Sequence, residues 1–211
     1  MDSPSAPGQD VPSQFVSVFL EVLNDLTGEH GARAVLRRAA LADWIDQPPA
    51  ASLSDRIHGR RVSDLVAALE DVYGTRGGRA LARRLGSALM DRCLKDIGAL
   101  GGLRDEAFQA LPARARARLG LGALRRVLFQ METMAAELKV TEDNLVFSMG
   151  GCPFCAGRSL DAPSCTPLQG LVDAVLRVAV PDLPWMSEET SCQAAGAGSC
   201  DVMVRLPRPA M

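Results

Sequence analysis

"PLQGLVDAVLRVAVPDLPWMSEETSCQAAGAGSCDVMVRL", residues 167–206, holds one helical period followed by two alternating runs. Leu168, Leu171, Val172, Val175 and Leu176 recur at the three- and four-residue steps that line up one face of a helix. "WMSEETSC" and "DVMVRL" read as an antiparallel strand pair joined through "QAAGAGS". Just upstream, "LKVTEDNLVFSMG" reads as two further short strands joined at "EDN". The end of the chain therefore predicts a small sheet with one amphipathic helix packed on it.

Between the leader and about residue 138, the chain reads as helices joined by loops. Phe15, Val18, Phe19, Val22, Leu23 and Leu26 keep helical spacing, with Ser13 placed to cap that helix and Gly28 to stop it. "ARAVLRRAAL" follows as a short helix, then a Pro-containing loop at "DWIDQPPAA". "SDLVAALEDVY" has Ser63 as its cap and Gly74 as its end, and Leu81, Leu85, Leu89, Cys93 and Ile97 line one face of the next helix. Two more stretches, "DEAFQALPARARARLG" and "GALRRVLFQMETMAAEL", are helical, the first interrupted by Pro112. Helices first and a sheet afterwards define an α+β chain rather than an alternating α/β one. The expected division is a disordered leader over 1–13, a helical extension over 14–60 and a ligand-binding domain over 61–206.

The formal net charge of −2 gives no reason to expect a polyanion partner. Basic residues are almost all arginine, and Arg114, Arg116, Arg118, Arg125 and Arg126 are read as a solvated helix surface rather than a phosphate-binding one. The polar, Pro- and Ser-rich start has no basic region leading into an apolar run, and no run of about 18 apolar residues exists elsewhere. A cytoplasmic protein with no membrane or direct nucleic-acid contact is expected. In a reducing compartment, structural disulfides are rare.

That expectation turns attention to the cysteines. Cys93 lies in an apolar helical stripe and reads as a small buried hydrophobe. Cys152, Cys155, Cys165, Cys192 and Cys200 crowd into the last third of the chain. "CPFC" has both chelate and dithiol spacing, but a Gly-Gly pair precedes it and a loop follows, so a metal role outranks a thioredoxin-like one. Glu189, Cys192 and Cys200 stand as E-x2-C-x7-C across a hairpin, which brings two thiolates and a carboxylate toward one ion. A fourth ligand can come from Cys165, Cys155 or Cys152.

The stretch from Gly170 to Leu206 resembles the 4-vinyl reductase domain family, through Gly170, Glu189, Cys192, Gly196 and Cys200. "CPFC", "APSC" and, more weakly, "YGTRGGRALARRLG" are similar to its upstream segments. The resemblance implies an α+β ligand-binding module related to vesicle-tethering and nitric-oxide-sensor folds, usually dimeric. It also implies a structural zinc on Cys165, Glu189, Cys192 and Cys200. Cys152 and Cys155 are then alternative ligands or a redox pair, and an iron–sulfur cluster is the alternative cofactor.

The expected function is a sensor module for a hydrophobic or aromatic ligand that acts through a separate effector protein. Leu124, Val127, Leu128, Met131, Phe147 and Trp185 are the expected pocket walls. Catalysis is not favoured, because no dinucleotide fingerprint exists and His30 and His58 lie far in sequence from the cysteines. The alternatives are a carrier or accessory role in tetrapyrrole vinyl reduction, and an iron–sulfur or thiol redox sensor.

Overall fold

The computed structural model describes residues 10–96, 102–130, 135–141 and 144–205. Helix α1 (Ser13–Arg38) buries Phe15, Val16, Phe19, Val22 and Leu23. Gly28, at φ 71°, breaks it into two arms, a conformation that L side chains rarely adopt. The expected stop at Gly28 is thus an elbow, and the helix through "ARAVLRRAAL" is its second arm. Ser13 does not cap. Pro12 occupies the N-cap position, while the Ser13 hydroxyl donates to the Ala50 carbonyl at 2.6 Å.

A short strand β1 (Asp10–Pro12) pairs antiparallel with β2 (Arg56–His58), with Val11 opposite Ile57. Helix α2 (Gly59–Asp96) starts directly after β2. It therefore places Ser63 within its first turns, buried and with an unpartnered hydroxyl, instead of at a cap. Gly74, at φ 74°, bends α2 as Gly28 bends α1. Gly78 allows the two arms of α2 to touch, because a Cβ there would lie 2.4 Å from the Glu70 Cα.

The one-turn helix α3 (Glu106–Gln109) ends before Pro112, and α4 (Ala113–Gln130) begins after it. Strands β3 (Ala135–Val140), β4 (Asn144–Gly150), β5 (Met186–Ser191) and β6 (Cys200–Arg205) form one antiparallel sheet in the order β3-β4-β6-β5. Phe147 faces Val202 and Leu145 faces Val204 across the central pair, and all four are buried. The alternation read from the sequence puts these side chains on one face, as a period of two requires.

Helix α5 (Thr166–Ala179) connects β4 to β5 and packs on α2. Two glycines set that crossing. A Cβ on Gly86 would lie 2.0 Å from the Pro167 carbonyl oxygen, and one on Gly170 would lie 2.0 Å from that of Arg83. Arg83 seals the same junction by donating to the buried Asp173 carboxylate at 2.6 Å, and Ser187 on β5 donates to Asp173 at 2.5 Å. One continuous core runs from Val11 through α1, α2, α4 and α5 to Val204. Among the described residues, no helix is long and apolar enough to cross a membrane.

Candidate functional site

Four elements deliver the five clustered cysteines to one point. Cys152 and Cys155 lie on the loop that leaves β4 through Gly151, whose φ of 63° turns the chain back. Cys165 occupies the N-cap position of α5, Cys192 follows β5, and Cys200 opens β6. Between the last two, Gly196 takes a left-handed conformation at φ 87°, which tightens the hairpin. Every one of these thiols is buried and none is in a disulfide.

The sulfurs of Cys152, Cys155, Cys165 and Cys200 all lie within 4.8 Å of one another. Cys152 Sγ is 3.0 Å from Cys165 Sγ, Cys155 Sγ is 3.4 Å from Cys200 Sγ, and Cys200 Sγ is 3.9 Å from Cys192 Sγ. These separations are well beyond a disulfide bond of about 2.05 Å. The two close pairs within the group of four are shorter than the ~3.8 Å edge of a tetrahedron whose metal–thiolate bonds are about 2.3 Å, and the 4.8 Å limit on its other separations exceeds it. Cys165, Glu189 and Cys192 form a second grouping within the same limit.

The expected ligand set is therefore split. Cys165 belongs to both groupings, Cys200 sits with the "CPFC" pair, and Glu189 sits with Cys192. The Glu189 carboxylate accepts the Cys165 backbone N–H at 2.7 and 2.6 Å, anchoring the start of α5 to β5. Sequence spacing cannot show that Cys152 and Cys155 reach the centre, because Gly151 makes the loop's return path. Gln193, unlike Cys152 and Cys155, was not among the residues read from the sequence. Its Oε1 accepts the Cys152 N–H at 2.9 Å, tying the two cysteine segments together.

Burial pushes the Cys152 thiol above its usual range. The Cys155 thiol is held low by hydrogen bonding with Cys152, and Cys165 is held high by its own bond with Cys152. Burial also pushes the Glu189 carboxyl up to about 8, with the nearby Cys192 adding to the effect. Cys155 and Cys192 are lowered while Cys152, Cys165, Cys200 and Glu189 are raised, so the cluster holds fewer charges than it has ionisable groups, which is the electrostatic condition a cation relieves.

Two contacts fasten the cysteine loop to the helices. Phe154, inside "CPFC", packs against Phe15 of α1 with ring centroids 6.1 Å apart. Arg158 donates to Glu70 of α2 at 2.9 Å, and Glu70 also accepts from Arg79 beyond the Gly74 bend at 3.1 Å. Of the expected pocket walls, Leu124, Val127, Leu128 and Phe147 are buried in the common core and Trp185 packs partly buried against it. Met131 and the Cys93 side chain lie outside the described residues, as do residues 1–9 of the expected leader.

No family model and no curated relative matches the chain. Its fold is similar to that of H-NOX domains. A mutant H-NOX of T. Tengcongensis is 12% identical, with 95% of this chain and 100% of that one covered and a TM-score of 0.58. A Cs H-NOX carrying 4-cyano-L-phenylalanine is 13% identical, with 94% and 97% covered and a TM-score of 0.60. Trafficking protein particle complex subunit 3 from Naegleria fowleri, covalently bound to palmitic acid, is 14% identical, with 71% and 93% covered and a TM-score of 0.51. At these identities the likeness shows an α+β fold of the H-NOX kind.

These neighbours correct the family. The chain is not placed with 4-vinyl reductase domains, and the vinyl-reduction role falls with that resemblance. The reason is physical: Gly170 answers a helix crossing and Gly196 a tight hairpin, so both report local geometry that a wider fold shares. The expected zinc, read from the E-x2-C-x7-C spacing and implied by the resemblance, and the iron–sulfur alternative, raised by the additional Cys152 and Cys155, are both withdrawn, since heme is the group named for the H-NOX family.

Heme does not fit this chain's residues. An iron porphyrin needs an axial donor such as a histidine, thiolate or tyrosinate beside an apolar slot. Both histidines, His30 and His58, are exposed, and His58 Nδ1 accepts the Arg60 N–H at 3.1 Å. Tyr73, the single tyrosine, is 37% exposed, and the clustered thiols are packed sulfur against sulfur. Among the described residues, the fold is present without a free axial donor.

Proposed function

We propose that this protein is a small-molecule-binding sensor module whose buried cysteine cluster holds one thiophilic metal ion. The observation that carries the metal site is the buried group of four sulfurs on Cys152, Cys155, Cys165 and Cys200, all within 4.8 Å of one another. Four thiolates from three separate chain segments form a closed cage, and a closed cage fits a structural role better than a catalytic one. Cys192 and Glu189 flank it, Glu189 by fixing the Cys165 backbone.

The sensor reading draws on the fold and on the coupling of the cage to the helices through Phe154 and Arg158. Fold likeness is an analogy about function, so the coupling is the stronger support. In this reading residues 61–206 carry the cage and the sheet, residues 14–60 pack against them, and a homodimer passes the signal to a separate effector protein.

Elemental analysis of the purified protein, with thiol titration, tests the cage. One ion per chain is expected, lost in Cys152→Ala, Cys155→Ala, Cys165→Ala and Cys200→Ala and kept in Cys192→Ala. A metal-free protein whose five clustered thiols all titrate after unfolding, and which takes up no added divalent ion, would sink the proposal.

A further inference from the structure

The elbow of α1 leaves a groove of about 420 Å³ between its two arms and the 3-10 turn Ala42–Ile45. Its volume falls within the ~300–1,000 Å³ range of small-molecule sites. Leu20 and Leu23 on the first arm, Ala32 and Leu36 on the second, and Trp44 and Ile45 on the turn make the apolar part. None of the pocket walls expected from sequence borders it.

The polar groups around the groove define what it takes. Glu21 is neutralised by Arg92 at 2.6 Å, and Glu29 by Arg33 at 2.8 Å. Each lip carboxylate already has its cation, so a charged ligand gains no unmatched partner. Ser17 and Asn24, seven residues apart and so on one helix face, make no side-chain hydrogen bond among the described residues. Two free neutral groups over an apolar floor with one indole suit an uncharged molecule.

We infer that the elbow groove of α1 is the small-molecule site, taking an uncharged apolar compound that carries a single hydrogen-bonding group. This rests on the sensor reading above and relocates its ligand. The site also has an outlet, because the first arm that lines the groove carries Phe15, which contacts Phe154 of the cysteine loop. A ligand bridging the two arms fixes the Gly28 elbow and with it the position of Phe15.

The chain's two tryptophans, Trp44 and Trp185, permit a local test. Labelled with 5-fluorotryptophan, the protein gives two fluorine resonances, assigned with a Trp185→Phe variant. Titration with N-phenyl-1-naphthylamine, an uncharged apolar probe with one N–H, is expected to shift Trp44 to saturation at one probe per chain and leave Trp185 in place. Asn24→Ala, an exposed substitution, should raise the dissociation constant roughly 3–10-fold, the loss of one hydrogen bond. The sulfonated analogue 8-anilinonaphthalene-1-sulfonate should bind more weakly. A shift of Trp185 alone would overturn the elbow site while leaving the small-molecule reading intact. No saturable shift at either residue would overturn both, and equal binding of the sulfonate would overturn the neutral ligand class.

Discussion

Phe154, between the two cysteines of "CPFC", lies against Phe15 of α1 with ring planes inclined at 53°. The loop that brings Cys152 and Cys155 to the cluster is thereby keyed to α1. Both rings are buried, Phe154 almost completely. Phe154→Ala removes the ring and leaves a cavity beside the cage, so a loss of about 3–5 kcal/mol is expected. Urea unfolding measures it. A loss below 1 kcal/mol would show that the loop holds its place without α1.

The α2–α5 crossing predicts a different failure. Gly86 and Gly170 each face a main-chain carbonyl at a distance no Cβ tolerates, so the helices must move apart to admit even alanine. Gly86→Ala and Gly170→Ala should each destabilise by about 1–3 kcal/mol or more. Gly122→Ala, with nothing within 4 Å of its added Cβ, should be neutral to stabilising. Thermal melts of the three variants order them. Equal melting temperatures would mean that the crossing is looser than its geometry.

How much of this was legible in the sequence follows from the range of each signal. Strands β4 to β6 and helix α5 were read correctly because their periods of two and 3.6 persist over six or more residues, whereas β3 starts at Ala135, inside the stretch "GALRRVLFQMETMAAEL" read as helix. Gly28 and Gly74 were found as breaks, since a left-handed backbone announces itself by residue type. What the chain does after such a break is tertiary, and both helices resume instead of ending. Ser13 and Ser63 looked like caps but are used otherwise, because β1 and β2, at three residues each, shift where α1 and α2 begin. The cysteines were legible as a cluster. That Cys152 and Cys155 sit with Cys165 and Cys200 depends on contacts up to 45 residues apart, which no local pattern encodes.

Asp182 should contribute to acid sensitivity. Arg116, nearly buried on α4, donates to both Asp182 carboxylate oxygens at 2.9 Å and to Gln109 Oε1 at 2.7 Å. The hydrogen bond from Arg116 holds the Asp182 carboxyl below its usual 3.8. A lowered folded-state value means a contribution present above 3.8 and lost as pH falls through the lower value. Asp182→Asn should therefore be less stable than the wild type at pH 7, with the gap closing in strong acid. Denaturant midpoints across pH 2–7 check this. A gap that widens on acidification would reverse the assigned sign.

The separation of fold from cofactor makes the last prediction. H-NOX domains share this architecture, and heme is named for the H-NOX family. Here the two histidines are exposed and the single tyrosine lies partly at the surface. Among the described residues, the remaining axial candidates are thiols already in contact with one another. Hemin added to the folded protein should give no stoichiometric shift of its absorption band, and Ala substitution at His30 or His58 should change nothing in that titration. If a one-to-one complex forms and His58→Ala abolishes it, β2 must rearrange to offer that imidazole, since its Nδ1 is engaged by the Arg60 N–H. If instead the complex forms and only Cys165→Ala abolishes it, heme competes for the thiol cage, and the metal reading of that cage gives way to a thiolate-ligated porphyrin.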